Sequence, residues 1–225
     1  SAVSFRNSVG VSAEWVTAES GDIAFQLEGG NQLKVAHAVG YDCNQGVVVG
    51  SAGKDLGTPV RPTIENCVFW LMSEACIRTD GNQPVIRNNI LSVVPGKYVY
   101  EISTTNDVDS DYNSIWLGEG GRMFRRTLPI ELSPVPIIYE TVGKWAAVSG
   151  QDLHSYDGDP MLANPELRNF RLKSQAGRWE PALGVWTNDM VSSPLIDAGD
   201  PDSAGWTNEP WANGGRINIG PFGGS

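Results

Sequence analysis

A short block recurs along the sequence at a nearly constant spacing, and this repeat constrains the fold more than any other feature. The segment IENCVFW begins at Ile64, and IRNNILS begins at Ile86. Related blocks begin at Phe5, Val35 and Ser110, so that the successive spacings are 30, 29, 22 and 24 residues. A repeat of roughly 20 to 50 residues is typical of solenoids and related architectures.

A second set of apolar segments keeps step with the first. These segments are rich in Val, Ile, Phe and Tyr and are separated by turn-forming residues, a pattern typical of short strands. Two strand columns at this spacing predict an all-β fold, a right-handed parallel β-helix in which each coil stacks on the previous one. An antiparallel sandwich is the alternative that the strand pattern leaves open. The segments begin at Asp22, Gly46, Ala75 and Tyr98.

Asparagine recurs within the blocks, at Asn7, Asn66 and Asn88, with Asn89 and Asn113 one place further on. Asparagine tolerates the left-handed backbone conformation, and its amide can form hydrogen bonds along a stack of identical side chains. We therefore predict that these residues form the turns between sheets.

Composition and charge exclude several classes of function. The 225 residues carry a formal net charge of −10, which argues against binding a nucleic-acid backbone but not against divalent cations or neutral glycans. No apolar run reaches the ~20 residues that a membrane-spanning helix needs. The odd number of cysteines, Cys43, Cys67 and Cys76, leaves at least one thiol unpaired within the chain. Cys67 and Cys76 lie in strand blocks and are expected to be small buried residues, with a disulfide or a metal site as the alternative.

The repeat divides the chain into three parts. Residues 1–118 are predicted to form the coils, and residues 119–150, where the block pattern stops, are predicted to form excursion loops. Residues 151–225 are predicted to form an irregular cap of the same domain. Five of the eight tryptophans follow residue 140, which suits a cap over the apolar end of a solenoid.

The longer motifs resemble a known family. The blocks IENCVF, IRNNIL and SDYNSIW are followed by GQDLHSYDGDPML, NFRLKSQAGRW, SPLIDAGDP and NGGRINIGPFGG. Together they resemble the secreted right-handed parallel β-helix repeat proteins of the pectate-lyase-like superfamily, especially the cell-surface kind of planctomycetes and related bacteria. The resemblance implies about five coils with an irregular C-terminal cap, and a secreted or bacterial cell-surface location. Many members have no established activity, so it implies the fold more firmly than the function.

One acidic segment is a candidate metal site. In NDVDSDYNS, Asp107, Asp109 and Asp111 occupy alternate positions and Asn113 follows. Such oxygen ligands could hold Ca²⁺, although Tyr112 occupies the position at which an EF-hand loop requires Gly. A solvated acidic turn is the alternative.

Two further clusters are candidates for catalysis. Asp157 and Asp159 could supply the two carboxyl groups of a glycoside hydrolase, or they could belong to a turn. Arg122, Arg125 and Arg126 could neutralise a uronate and remove its proton in a polysaccharide lyase, but we expect them on an excursion rather than on the coil face.

The strand pattern is already present at Val3, which predicts an open N-terminal face. Open strand edges recruit further strands, so we expect an extracellular structural or surface-interaction protein. Head-to-tail stacking of copies into a fibre, or binding to a cell-surface glycan, is the expected interaction. A polysaccharide lyase or glycoside hydrolase is the first alternative. The second is a non-catalytic glycan-binding module that uses exposed tryptophans such as Trp70 or Trp116.

Overall fold

The structure is a computed structural model in which parallel strands stack into a solenoid of about five turns. This confirms the predicted parallel β-helix. A sandwich is excluded because the strands of successive coils pair in parallel register. The structure describes residues 2–50, 61–103, 107–118, 120–126, 137–209 and 214–224.

Each coil contributes three short strands. In chain order these are β1 (Val3–Val9), β2 (Ser12–Glu14), β3 (Thr17–Glu19), β4 (Ile23–Asn31), β5 (Lys34–Ala36), β6 (Val39–Tyr41), β7 (Gln45–Gly50), β8 (Thr63–Glu65), β9 (Val68–Met72), β10 (Ala75–Thr79), β11 (Val85–Arg87), β12 (Ile90–Val93), β13 (Tyr98–Ile102), β14 (Asp109–Asp111) and β15 (Ser114–Trp116).

The rest of the chain adds three more strands to the sheets of the coils and then becomes irregular. Its elements are β16 (Arg122–Arg126), β17 (Ile138–Tyr139), α1 (Val142–Ser149), β18 (Tyr156–Asp157), β19 (Leu162–Asn164), β20 (Asn169–Leu172), β21 (Arg178–Glu180) and β22 (Val185–Thr187), with short 3-10 helices at Pro165–Leu167 and Trp206–Asn208.

Three parallel sheets run along the stack. Sheet A contains the first strand of every coil followed by β16, and β17 joins its edge in antiparallel direction. Sheet B contains the second strands, and sheet C contains the third strands followed by β18. In sheet B, Ile64 pairs with both Val35 and Ile86. The blocks that revealed the repeat are therefore stacked neighbours.

The predicted alignment of the block at Phe5 with the block at Val35 is wrong. Phe5 was grouped with Val35, but Phe5 pairs with Leu27 in sheet A, and Ala13 is the residue that pairs with Val35. Alanine gives a weak apolar signal, so the sequence pattern selected the larger Phe5. The two predicted columns also became three sheets, because a block such as IENCVFW contains β8 and β9 with Asn66 between them.

The corner between sheets B and C is built from residues with left-handed backbone conformation. Asn66 and Asn88 lie there with φ of 49° and 58°, which confirms the predicted turns, whereas Asn7 lies within β1. Equivalent residues of the other coils also have positive φ, namely Trp15, His37 and Tyr112.

Buried asparagines form a ladder beside this corner. The Asn89 amide nitrogen donates to the backbone oxygen of Ile64 (2.9 Å) and to Oδ1 of Asn113 (3.1 Å). Oδ1 of Asn89 accepts from the backbone N–H of Cys67 (2.9 Å), and Asn113 donates to the oxygen of Ile86 (3.1 Å). Amide side chains thus satisfy backbone groups that the turn leaves without strand partners.

Helix α1 packs against the last strands of sheet A. Its Trp145 is fully buried, with the ring stacked 4.9 Å from Phe124 and tilted against Tyr100 and Tyr139. Thr141 caps the first turn by accepting from the backbone N–H of Lys144. The helix therefore supplies a large apolar side chain to the end of the coil core.

A buried carboxylate joins this helix to the coils. Oδ2 of Asp152 accepts from the indole N–H of Trp145 (3.0 Å), and Oδ1 accepts from the hydroxyls of Ser110 (3.0 Å) and Ser155 (2.7 Å). Burial raises the pKa of Asp152, although these hydrogen bonds and one from Asn113 oppose the rise.

We expect the Asp152→Asn variant to remove a pH dependence of stability. Because the folded-state pKa of Asp152 is raised above the ordinary value of about 3.9, its contribution to stability is fully present below that value and is lost as the pH rises through the folded-state pKa. Urea unfolding at several pH values should therefore show the wild type losing stability relative to the variant with rising pH. The exposed Asp22→Asn change is the control, and a constant Asp152→Asn difference would contradict the assignment.

The C-terminal region covers the outer face of sheet C. Val68, Trp70 and Ile90 point outward from that sheet and form a second apolar cluster with Phe170 and Ile219 of the covering region. The region is irregular, as predicted, but the apolar surface that it covers is the side of the stack. α1 packs at the end, within the segment predicted as excursion loops.

The three cysteines are free and buried, which confirms the prediction of small buried residues for Cys67 and Cys76. Burial raises the pKa of the Cys67 thiol to about 12. Within the described ranges no helix is both long and apolar enough to cross a membrane.

Candidate functional site

The residues predicted to bind Ca²⁺ lie on and around β14. Oδ1 of Asp109 lies 2.6 Å from Nη2 of Arg87, and Oδ2 lies 3.1 Å from Nη2 of Arg61. Arg87 also donates to the backbone oxygen of Asp109 (2.7 Å). Asp107, just before the strand, is buried. Both carboxylate oxygens of Asp109 therefore contact cationic groups of the protein.

Asp111 and Asn113 also have protein partners. Oδ2 of Asp111 lies 2.7 Å from Nδ1 of His154, and Oδ1 accepts the backbone N–H groups of Tyr112 and His154. Asn113 belongs to the buried ladder. In the part of the chain that the structure describes, no group of three or more His, Cys, Asp or Glu side chains is placed to hold a metal ion. The Ca²⁺ site stays a prediction.

The candidate catalytic carboxylates lie at the start of the C-terminal region. Asp157 is exposed at the end of β18. Oδ1 of Asp159 accepts from the backbone N–H of Met161 (2.8 Å). This contact is typical of a turn, which is the alternative that the sequence left open.

The arginine cluster lies on the coil face, so its expected position on an excursion is wrong. Arg122, Arg125 and Arg126 belong to β16, which continues sheet A. Arg122 and Arg125 lie near the ring of Tyr98, and Arg126 donates to the backbone oxygen of Ser103 (2.9 Å). The sequence pattern did not predict this strand because Met123 and Phe124, which lie between the arginines, were not recognised as the residues that repeat the buried positions of β13.

A cavity of about 540 Å³ lies in the C-terminal region, between the hairpin β21–β22, β20 and the last residues of the chain. Its wall at Gly220 and Pro221 is bound to the solenoid corner. Gly220 donates its N–H to the oxygen of Asn88 (2.8 Å), and its own oxygen accepts from Asn66. The oxygen of Pro221 lies 3.1 Å from Nδ1 of His37. The cavity wall is therefore hydrogen-bonded to the corner between sheets B and C.

Two tryptophans stand on the hairpin wall. Trp179 of β21 pairs directly with Trp186 of β22, and their ring centroids are 6.3 Å apart in an edge-on arrangement. The side chains are 39% and 60% exposed. Large aromatic surface left open beside a cavity is typical of a binding site.

A half-buried ion-pair network holds the hairpin in place. Arg178 contacts Oε2 of Glu180 (2.7 Å) and both carboxylate oxygens of Asp189 (2.8 and 3.1 Å). Burial alone would raise the pKa of Asp189, but hydrogen bonds from Arg178 and the Ser174 backbone hold it below its ordinary value. Such forked arginine contacts orient the strand that carries Trp179.

Two carboxylates also line the cavity. Oε1 of Glu209 accepts the backbone N–H groups of Asn218 (2.8 Å) and Gly224 (2.7 Å). Burial raises the pKa of Glu209, and the two amide contacts oppose the rise. Asp197 accepts from the N–H of Gly214 (2.9 Å). The cavity therefore combines aromatic surface with hydrogen-bonding groups.

Sequence reasoning did not find this cavity. The tryptophans after residue 140 were interpreted together as cap residues. The local signal was RWEPALGVW, in which Trp179 and Trp186 are placed symmetrically about a turn, so that an antiparallel hairpin brings them together on one face.

Comparison with known proteins gives one partial match. Residues 137–199 match the family model described as "Disaggregatase related". The matched segment contains α1, β20 and the hairpin with both tryptophans, but it covers well under half of the chain. No curated protein and no solved structure matches the sequence.

Proposed function

We propose that this chain is a saccharide-binding β-helix protein of the cell surface, with its binding site in the C-terminal cavity. The observation that carries the proposal is the pair Trp179 and Trp186, whose exposed rings flank a cavity of about 540 Å³. The β-helix fold and the disaggregatase-related segment fit a surface or carbohydrate-related protein.

The chemistry of the cavity suits a sugar. One face of a pyranose ring presents C–H groups that pack on an indole ring, whereas its hydroxyls need polar partners. The tryptophans supply the first, and Asp197 on the cavity wall supplies acceptor oxygens. Because the wall residues are held by ion pairs and backbone contacts, little order has to be gained on binding.

We expect the Trp186→Ala variant to bind saccharides about tenfold more weakly or worse, because it removes the more exposed of the two stacking surfaces. An array of neutral, uronate-containing and sulfated oligosaccharides would identify a ligand, and titration calorimetry would give the affinities. The control is Leu153→Ala, which removes an equally exposed apolar side chain that does not line the cavity. Wild-type protein that binds no member of the array would refute the proposal, as would unchanged affinity in Trp186→Ala.

Head-to-tail stacking is a second proposal. Strands β1, β2 and β3 each end their sheet among the described residues, so their outer backbone groups face no further strand there. Such an edge accepts a further coil, from a second copy or from another part of a longer protein. Lyase activity, for which Arg122 and Arg125 on sheet A are candidates, and hydrolase activity, for which Asp157 and Asp159 are candidates, are tested by searching the incubated array for unsaturated and for cleaved products.

A further inference from the structure

Arg171 of β20 lies half buried on the wall of the C-terminal cavity. Its guanidinium carbon is 4.2 Å from the centroid of the Phe222 ring, which holds the guanidinium plane against an aromatic face. Burial lowers the pKa of Arg171. The negative charge of Glu180 opposes this lowering, and the positive charge of Arg178 adds to it. An arginine nevertheless stays protonated throughout the physiological pH range, so this wall carries a positive charge.

Among the described residues, no carboxylate and no hydrogen-bond acceptor contacts the guanidinium of Arg171. Its neighbours differ in this respect. Arg178 is bound by two carboxylates. Arg168 also lies over an aromatic ring, that of Tyr41, but it forms an ion pair with Glu19 (3.2 Å). A partly buried charge usually has a partner, and Arg171, on the cavity wall, has no ion-pair or hydrogen-bond partner for its guanidinium among the described residues.

Among the described residues, no acidic group at or near the cavity forms an ion pair with Arg171, and Glu180 acts on it only through its charge. Asp197 and Glu209 are on the wall formed by the C-terminal segment, where each accepts backbone N–H groups. Glu180 is directed to Arg178 and to the amide of Asn169. The cavity wall therefore carries Arg171 as well as two carboxylates, Asp197 and Glu209, that are bound to backbone amides.

We propose that Arg171 binds an anionic group of the saccharide, so that the cavity selects acidic sugars over neutral ones. This inference rests on the proposed saccharide binding. The guanidinium fork matches the two oxygens of a carboxylate or of a sulfate ester, and it forms two parallel hydrogen bonds to either. Because Phe222 already holds the guanidinium plane, little side-chain freedom is lost when the anion binds.

The position of Arg171 also orients the ligand. A sugar ring that packs on Trp186 and Trp179 would present its anionic substituent to Arg171, and its hydroxyls would reach the acceptor oxygens of Asp197. A ligand turned the other way would bring its anion to Asp197 and Glu209, which repel it. The cavity thus distinguishes both the charge and the direction of the saccharide.

Two matched ligand pairs test the inference. The first is oligogalacturonate and its methyl ester, which differ only in the free carboxylate. The second is a sulfated galactan oligosaccharide and its desulfated form. We expect the wild type to bind the acidic member of at least one pair more tightly, on the order of ten- to a hundredfold. The pair that shows the preference identifies the anion as carboxylate or sulfate.

The Arg171→Met variant keeps the apolar stem on Phe222 and removes the charge, so it should abolish the preference while affinity for the neutral member stays within about twofold. Arg171→Lys should recover part of it. Arg168→Met, which changes an arginine over an aromatic ring outside the cavity wall, is the control and should keep the full preference. Thermal unfolding checks that all variants fold.

Equal wild-type affinity for both members of each pair overturns the role of Arg171 and leaves saccharide binding intact. Absence of binding to all four ligands, and to the array, overturns both proposals.

Discussion

Replacement of Trp145 by alanine is expected to lower the free energy of unfolding by about 3–5 kcal/mol. Trp145 is a fully buried side chain, and it contacts Phe124, Tyr100 and Tyr139 at the end of the coil core. Its removal leaves a large void among rings that cannot all move inward, so both transfer energy and packing contacts are lost.

The same change also affects the buried Asp152. The indole N–H of Trp145 donates to Oδ2 of that carboxylate (3.0 Å), and its loss leaves a buried oxygen with one fewer donor. Urea unfolding of the two proteins measures the difference. Val148→Ala on the same helix is the matched control, because Val148 is largely exposed and should change stability little. A loss below about 1 kcal/mol in Trp145→Ala would contradict the proposed packing.

The Asn89→Ala variant is expected to lose about 2–4 kcal/mol of unfolding free energy. The Asn89 side chain is the buried partner of two backbone groups, the N–H of Cys67 and the oxygen of Ile64. Alanine leaves both groups buried without these hydrogen bonds, and each such loss costs roughly 1–3 kcal/mol. The cost is high because the ladder lies inside the solenoid, where water cannot take the place of the amide.

The expected loss of stability depends on the burial of Asn89, and an exposed asparagine serves as the control. Asn44 also forms a side-chain contact between coils, to Asp22 (2.9 Å), but at an exposed position. Asn44→Ala should therefore cost well under 1 kcal/mol in the same urea experiment. Equal losses in the two variants would show that the buried ladder has no special role in holding the coils together.

The coil stack could be predicted from the sequence because its signal is repeated. Ile64 and Ile86 occupy the same position in successive coils. Because both side chains pack in the same surroundings, the same pattern of apolar residues recurs in the sequence. The prediction failed at Ala13, where a small residue fills the position and gives no apolar signal of its own.

The candidate site could not be predicted in the same way. Trp145 and Trp186 both lie in the non-repeating part of the chain, yet one is fully buried and the other is 60% exposed. Their surroundings are set by distant segments, since the cavity includes β20, the hairpin and residues near Gly220. Without a repeat, local sequence does not determine which aromatic residues pack inward and which stay open to a ligand.

The most direct test of saccharide binding in the cavity is an NMR titration of the indole N–H signals with the array oligosaccharide that binds most tightly. Signals assigned through Trp179→Phe and Trp186→Phe variants should shift on addition of the sugar. The signal of Trp145, whose N–H is bonded to buried Asp152, should stay in place and serves as the internal reference. Unchanged signals from both Trp179 and Trp186, or shifts confined to other tryptophans, would contradict a binding site in this cavity.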